Sequence, residues 1–445
     1  MKYSSFVKNI FDDICHHGGQ VYFVGGCVRD DILGYETHDY DVEVYHLNYH
    51  QLHDLLSKYG HVNTFGKSFA IMQLDTLPHY DFALPRREYK IGEKHQDFEV
   101  DIDPDLPLDK AILRRDLTMN ALMYDYQKDC IIDLCRGLDD IKHRIIRVVD
   151  ENTFIEDPLR VLRVAQFASR FQMEIDEKTY QLCQQMVQEH MLDHLSIERI
   201  YQEYCKILMS PKPSIGFRFL SDINALPFYL EDLKKTHQRS DFHPEGSVFN
   251  HTLMVLDVAA KMKEKVDEPL SFMWSCLLHD IGKPIVTTVE GHAPLHNEAG
   301  VQLFEKVDLI QSKKQRQYIR TMIMYHMHLM NMSRHGSKDH RYLRLLKLID
   351  KKVSLNDLIW MSYCDKVGRG RVVESQIDVF WDYIQDKKER LTDQAIEAIV
   401  DGNDLIQEGF THHHQFKDIL EEAYELQLQG MKKEKILRRL KKKYE

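Results

Sequence analysis

Residues 24–45 read VGGCVRDDILGYETHDYDVEVY, and the fold of the N-terminal third turns on this stretch. A short apolar run, Gln20 to Val24, leads into the pair Gly25-Gly26. Residues 27–33 have helical character and stop at Gly34, and residues 40–45 alternate like a strand. Strand residues two apart share a face. Asp39 and Asp41 therefore present two carboxylates on one side, while Val42 and Val44 enter a core on the other. Side-by-side carboxylates repel unless a cation lies between them, and an oxygen environment completed by substrate phosphates suits Mg2+. Taken alone, such a pair is more often an acidic strand edge facing solvent. The glycine turn changes that reading. Gly26 lets a phosphate approach the backbone, the helix that follows offers free N–H groups, and Arg29, one turn in, can reach the same anion. Asp81, in the later segment HYDFALP, is either a third carboxylate of this site or a buried structural residue.

The chain has 445 residues, enough for two to four domains, and is 43% hydrophobic. No run approaches the roughly 20 apolar residues of a membrane span. The N-terminus, MKYSSFVKNIFDDICHH, reads as an amphipathic helix and not as a signal peptide. Eight cysteines without a CxxC pair point to reduced thiols and a cytoplasmic setting. The net charge of -11 argues against a nucleic-acid partner when averaged over the chain. The last fifteen residues, MKKEKILRRLKKKYE, nevertheless carry eight Lys or Arg and two Glu. They form either a solvated helix end or a phosphate-contacting tail.

In order and spacing, the glycine pair, Arg29 and the DxD resemble motif A of the class II tRNA nucleotidyltransferases of the polymerase β superfamily. Further motifs follow: RRDLTMNAL (residues 114–122) resembles motif B, DLCRGLDDIKHRIIR (133–147) motif C, EDPLRVLR (156–163) motif D and SIERIYQE (196–203) motif E. The resemblance implies template-independent addition of CCA to the 3′ end of tRNA from CTP and ATP, dependent on Mg2+ held by Asp39 and Asp41, with the acceptor arm of tRNA as partner. It implies nucleotide contacts from Gly26, Arg29, Arg115, Asp157, Arg160 and Arg163. In motif B, Asp116 and Asn120 read as shaping a ribose pocket, and Arg114 as a solvated neighbour. Residues 85–110, long and weakly periodic, correspond to the family's flexible loop.

Within motif D, Asp157, Arg160 and Arg163 are spaced by three and form a drifting row along one side of a helix. Acceptors on Asp and a planar donor fork on Arg can imitate the pairing edge of a base, the role the resemblance implies for Asp157 and Arg160. Asp157 before Pro158 is also what a helix N-cap looks like. Gln166 stands where family members often show a third Arg, which weakens or replaces a triphosphate contact.

After about residue 145 the strand signals fade and helical periods dominate. HDIGK, with His279 and Asp280, is the core of an HD phosphohydrolase pattern. His251 and Asp365 complete the H…HD…D order, and His296 and His326 fall where two-metal members place additional ligands. An imidazole-rich set with carboxylates suits a divalent transition metal better than Mg2+. His292 and His328 stay outside this set, and His412, His413 and His414 read as surface loop residues.

The expected architecture is α+β. A nucleotidyltransferase head with a small mixed sheet (1–145) is followed by a helical neck (146–235), an HD domain (236–370) and a helical, basic tail that contacts tRNA (371–445). Three alternatives remain: a poly(A) polymerase, against which FGKSFAIMQLD with its single Lys speaks; an enzyme adding only A to tRNA; and an HD phosphohydrolase acting on RNA ends.

Overall fold

β1 (Gln20–Val24) is buried along nearly its whole length because it lies inside a sheet covered on both faces. It pairs antiparallel with β2 (Tyr40–Tyr45) on one side and with β8 (Met123–Asp125) on the other. The remaining strands are β3 (Val62–Phe65), β4 (Ile71–Leu74), β5 (Leu77–Ala83) and β9 (Cys130–Ile132). Together they give a mixed seven-stranded sheet in the order β3-β4-β5-β2-β1-β8-β9, with β2 and β5 parallel. On one face lies the N-terminal helix Ser5–His16, capped by Ser4, whose buried Val7, Ile10, Phe11 and Ile14 repeat at helical spacing. Phe11 packs edge-on against Phe23 of β1 and Phe82 of β5. Tyr22 and Val24 face the opposite side, into a cluster with Leu106, Ile112 and Met123.

The computed structural model describes residues 1–65, 71–90, 98–237, 244–370, 373–411 and 415–444. The segment FGKSFAIMQLD at 65–75 and the loop at 85–110 lie partly outside these residues. His412, His413 and His414 lie wholly outside. The weakly periodic loop is not irregular throughout. β6 (Arg86–Lys90) and β7 (Phe98–Ile102) pair antiparallel, and a short helix follows at Leu108–Ala111. Strand structure also outlasts residue 145: Ile145–Ile146 pairs parallel with Glu174–Ile175.

The chain divides into two compact units. The first, Met1–Ile207 with Ile215–Ala225, holds the sheet and the helices that follow it. The second, Leu208–Ser214 with Leu226–Glu445, is helical. Its centre is built by helices Val248–Met262, Pro269–Leu278, Lys313–Tyr325 and Leu355–Val367, around fully buried Phe272 and Trp274. The C-terminal helices Gly402–Gln407, Phe416–Leu428 and Lys433–Tyr444 share a small core of their own, including Leu405, Phe410, Ile419, Ile436 and Leu440. Among the described residues, no helix is long and apolar enough to cross a membrane.

Candidate active sites

The head site is built at the edge of β2. Asp39 directly precedes the strand and its side chain is 93% exposed, 3.6 Å from His79 Nδ1. Asp41 is the second strand residue and is also exposed. The parallel register places Asp81 beside Asp41, and the preceding pair, Tyr40 and Tyr80, stack with ring centroids 4.5 Å apart. The side chain of Asp81 accepts a hydrogen bond from Gln73 at 3.0 Å. Although the residue is exposed, the Asp41 carboxyl is pushed above the usual range. Water displaced by the surrounding protein is the main cause. Arg115 opposes the rise and Asp81 adds to it. Val42 and Val44 are buried, as the strand period requires.

Glu43, the next residue on the Asp41 face, turns inward and is buried. It accepts hydrogen bonds from Nη2 of Arg114 and, at 3.0 Å, from Nη2 of Arg115. Arg114 is therefore no solvated neighbour. Burial raises the Glu43 carboxyl, and the two guanidinium groups more than offset it, so it sits below its ordinary value. The second arginine reaches the glycine turn. Gly25 has φ +73°, and a Cβ there would lie 2.7 Å from Arg115 Nη1. Helix Gly26–Leu33 begins at this turn.

Arg29 is 4% exposed, donates to Asp30 Oδ1 at 2.8 Å and to Asn120 Oδ1, and packs over the rings of Phe167 and Phe171. Its guanidinium lies against the glycine turn, where a Cβ on Gly26 would be 3.5 Å from Nη2. Asp116 and Asn120 are likewise buried and joined. Asn120 Nδ2 donates to Asp116 Oδ1 at 2.9 Å, and Arg163 Nε donates to Asp116 Oδ2 at 2.6 Å. A continuous polar chain thus runs from Arg163 through Asp116 and Asn120 to Arg29 and Asp30, and on to Arg170 at 3.0 Å.

Motif D forms the start of helix Leu159–Phe171. Asp157 Oδ1 accepts from Leu159 N at 3.2 Å, so the capping role is real. The same carboxylate is gripped by Arg199 Nη2 at 2.9 and 3.1 Å, a partner the sequence reading missed although motif E contains it. Arg160 donates to the carbonyls of Thr153 and Arg114 at 2.5 and 2.6 Å. Asp157, Arg160 and Arg163 therefore share a helix end, each held by protein groups. Gln166 is buried.

In the second unit, the six predicted residues come together from five segments. His251 lies in the first turn of helix Val248–Met262, and His279 is the C-cap of Pro269–Leu278. His279 and Asp280 thus occupy the turn that ends the helix and do not lie within it. His296 opens helix His296–Phe304, His326 caps Lys313–Tyr325, and Asp365 lies in Leu355–Val367. Two triads share Asp280: His251, His279 and Asp280, and Asp280, His296 and His326, each with ligand atoms mutually within 4.8 Å. All are buried, Asp280 to 1% exposure. Neither His292 nor His328 joins either triad.

The donor chemistry fits a divalent cation. Nδ1 of His279, His296 and His326 lies 2.8–2.9 Å from the carbonyl three residues before it. A carbonyl only accepts, so Nδ1 carries the proton and Nε2 points a lone pair inward. The Nε2 atoms of His279 and His296 and Oδ1 of Asp280 are buried with no hydrogen-bond partner among the described residues. His326 is pushed down to about 3, first by burial and then by His279, which keeps it neutral as a ligand must be. Burial lowers His251, but Asp365 at 3.0 Å and Glu245 together raise it above the usual imidazole range. Burial raises Asp280, but His279 and Lys283, whose Nζ is 2.6 Å from Oδ2, hold it well below the usual range. The backbone is equally close-fitted. A Cβ on Gly282 would lie 2.0 Å from the His296 carbonyl and 2.3 Å from Gly300 N.

Residues 21–147 match the poly A polymerase head domain, residues 172–236 a probable RNA-binding site of polymerase A, and residues 248–353 the HD domain. Both enzyme families generally use divalent metals. A multifunctional CCA protein of Acidovorax ebreus is 36% identical over 284 residues, 62% of this chain and 64% of the relative, so the chain spans just under two thirds of that relative's length. A multifunctional CCA protein of Pasteurella multocida is 32% identical over 415 residues, 88% of this chain and 92% of the relative. Among solved structures, an apo CCA-adding enzyme superposes with a TM-score of 0.65 at 22% identity, covering 99% of this chain and 95% of that one. A Thermotoga maritima CCA-adding enzyme complexed with tRNA gives 0.60 at 20%, covering 99% and 95%. These likenesses establish the fold.

Proposed function

The chain belongs to the multifunctional CCA protein family, and from that membership we propose that it is a tRNA nucleotidyltransferase, building CCA on tRNA 3′ ends from CTP and ATP without a nucleic-acid template. The observation that carries the reading is the alignment of Asp41 with Asp81 on parallel strands, at the same end of the sheet as Arg115 and the Gly25 turn. In this reading Asp39 and Asp41, with Asp81 as a third carboxylate, hold Mg2+. When bound, such ions neutralise charge on the attacking hydroxyl and the leaving pyrophosphate. Arg115 and the backbone at Gly25-Gly26 receive the triphosphate. Asp157 and Arg160 turn their pairing groups to the incoming base, exchanging present protein partners for those of cytosine or adenine. A wrong base leaves these groups unpaired, which is the basis of the choice.

The head (1–145), the neck (146–235) and the basic C-terminal helix would hold the acceptor arm through phosphates and shape. All eight cysteines are unpaired, in keeping with a reducing cytoplasm. In the HD domain (236–370), His251, His279, Asp280, His296, His326 and Asp365 would hold divalent transition-metal ions. The domain would then hydrolyse phosphoester bonds at RNA ends.

The test supplies tRNA lacking its CCA end with CTP, ATP or both and Mg2+. Two additions with CTP alone and three with the mixture are expected. Extension in no mixture would defeat the reading. Untemplated A tracts would favour a poly(A) polymerase, and growth only on tRNA ending in CC an A-adding enzyme.

A further inference from the structure

The nucleotidyltransferase reading gives no task to Glu43, yet this buried carboxylate joins two adjacent arginines of motif B and a tyrosine. It is 3% exposed on the strand that carries Asp41. An isolated carboxylate at such a place would shed its charge or destabilise the fold. Glu43 is kept ionised by Arg114 and Arg115 on one oxygen, and Tyr45 donates to the other at 3.3 Å.

The two arginines lead to different places. Arg115 Nη1 is the atom pressed against the Gly25 turn. Arg114 turns its side chain to Glu43 while its backbone carbonyl accepts from Arg160 Nη2 at 2.6 Å. Arg160 is fixed again by the Thr153 carbonyl at 2.5 Å, and Thr153 Oγ1 donates to the Leu113 carbonyl at 2.6 Å. One carboxylate is therefore one hydrogen bond from the arginine that lies against the triphosphate-facing turn and, through Arg114, adjoins the base-facing helix.

We propose that Glu43 is a positioning residue that sets Arg115 and Arg160 together, tying the catalytic strand to the choice of base. The inference rests on the nucleotidyltransferase reading and adds to it. Losing the Glu43 charge should alter which nucleotide is chosen as well as how fast it is added. A merely structural carboxylate would lower all activities alike.

The experiment uses the full chain with Glu43→Gln, Glu43→Asp, Arg160→Lys and the Glu43→Gln/Arg160→Lys double variant. KM and kcat are measured for CTP, ATP, UTP and GTP in single additions to tRNA. For Glu43→Gln, KM for CTP and ATP should rise about tenfold and preference over UTP and GTP should fall about tenfold, with partial recovery in Glu43→Asp. The double variant should depart from additivity in that preference by about threefold or more. Equal losses on right and wrong nucleotides, or additivity, overturn the proposal. Should Glu43→Gln fail to unfold cooperatively, Arg114→Lys is read the same way: a fall in preference supports the link and an unchanged preference overturns it. Should the wild-type chain extend no tRNA, the function reading fails separately. Equilibrium binding of CTP and UTP to wild type and Glu43→Gln then decides, a preference lost in the variant supporting the link and an equal preference ending it.

Discussion

The two candidate sites solve the problem of gathering negative charge in opposite ways. In the head, Asp39 and Asp41 stand exposed at one end of a central strand, and the more buried charges nearby are already paired: Glu43 with two arginines, Asp116 with Arg163, and half-buried Asp157 with Arg199. In the helical unit, the acceptors are buried and the inward atoms of His279 and His296 have no hydrogen-bond partner among the described residues. The first arrangement suits an ion that arrives with its substrate and leaves with the product. The second suits an ion that stays, because a buried cage with unpartnered donors is costly when empty.

The largest effect that can break this comparison comes from Asp41→Ala. Nucleotide addition should fall by about 10³-fold or more, while hydrolysis of a chromogenic phosphodiester by the helical unit stays within about twofold. Parallel losses in both assays would mean that the sites are not separate. Conversely, Asp280→Ala removes the residue common to both triads. Metal bound after dialysis, counted by mass spectrometry, should drop to near zero and the hydrolase should be lost, with addition of CCA preserved. Retention of metal by that variant would contradict the shared-carboxylate arrangement. A smaller effect is expected for Arg160→Ala, where discrimination between CTP and UTP should fall about 10- to 100-fold with tRNA affinity nearly unchanged. An unaltered preference would remove Arg160 from base selection. Smallest is the response to chelation: stripping divalent ions should lower the thermal midpoint by a few degrees, about 2–4 °C. Added Mg2+ should restore CCA addition at once but not the lost stability. Full thermal recovery with Mg2+ alone would argue that the helical site does not discriminate between ions.

Legibility differed between the two regions for a physical reason. β1, β2 and the helix between them were readable within a residue, because local period and the Gly34 stop determine them. The six HD residues were readable because the motif residues are themselves the side chains that gather in the buried cluster. In the head, the residues that matter are held by partners far along the chain. Glu43 meets Arg114 across 71 positions, and Asp157 meets Arg199 across 42. On the sequence Glu43 looks like one more acid of an acidic strand edge. The signal that was available is the doubled arginine at 114 and 115, since adjacent cations near a sheet call for a buried counter-charge. Arg29 shows the same distance effect. Its place one turn past a glycine pair is local, but Phe167 and Phe171, from a helix well over a hundred residues later, pack on its guanidinium.

The main-chain contact at Gly282 carries a consequence for how the helical unit can evolve. Because the loop after the HD turn lies directly on the peptide groups of His296 and Gly300, the spacing between the two halves of the cage is set by bare polypeptide. Neighbouring side chains can drift without retuning that distance. A single methyl at position 282 would act as a wedge, driving the two triads of the buried cluster apart.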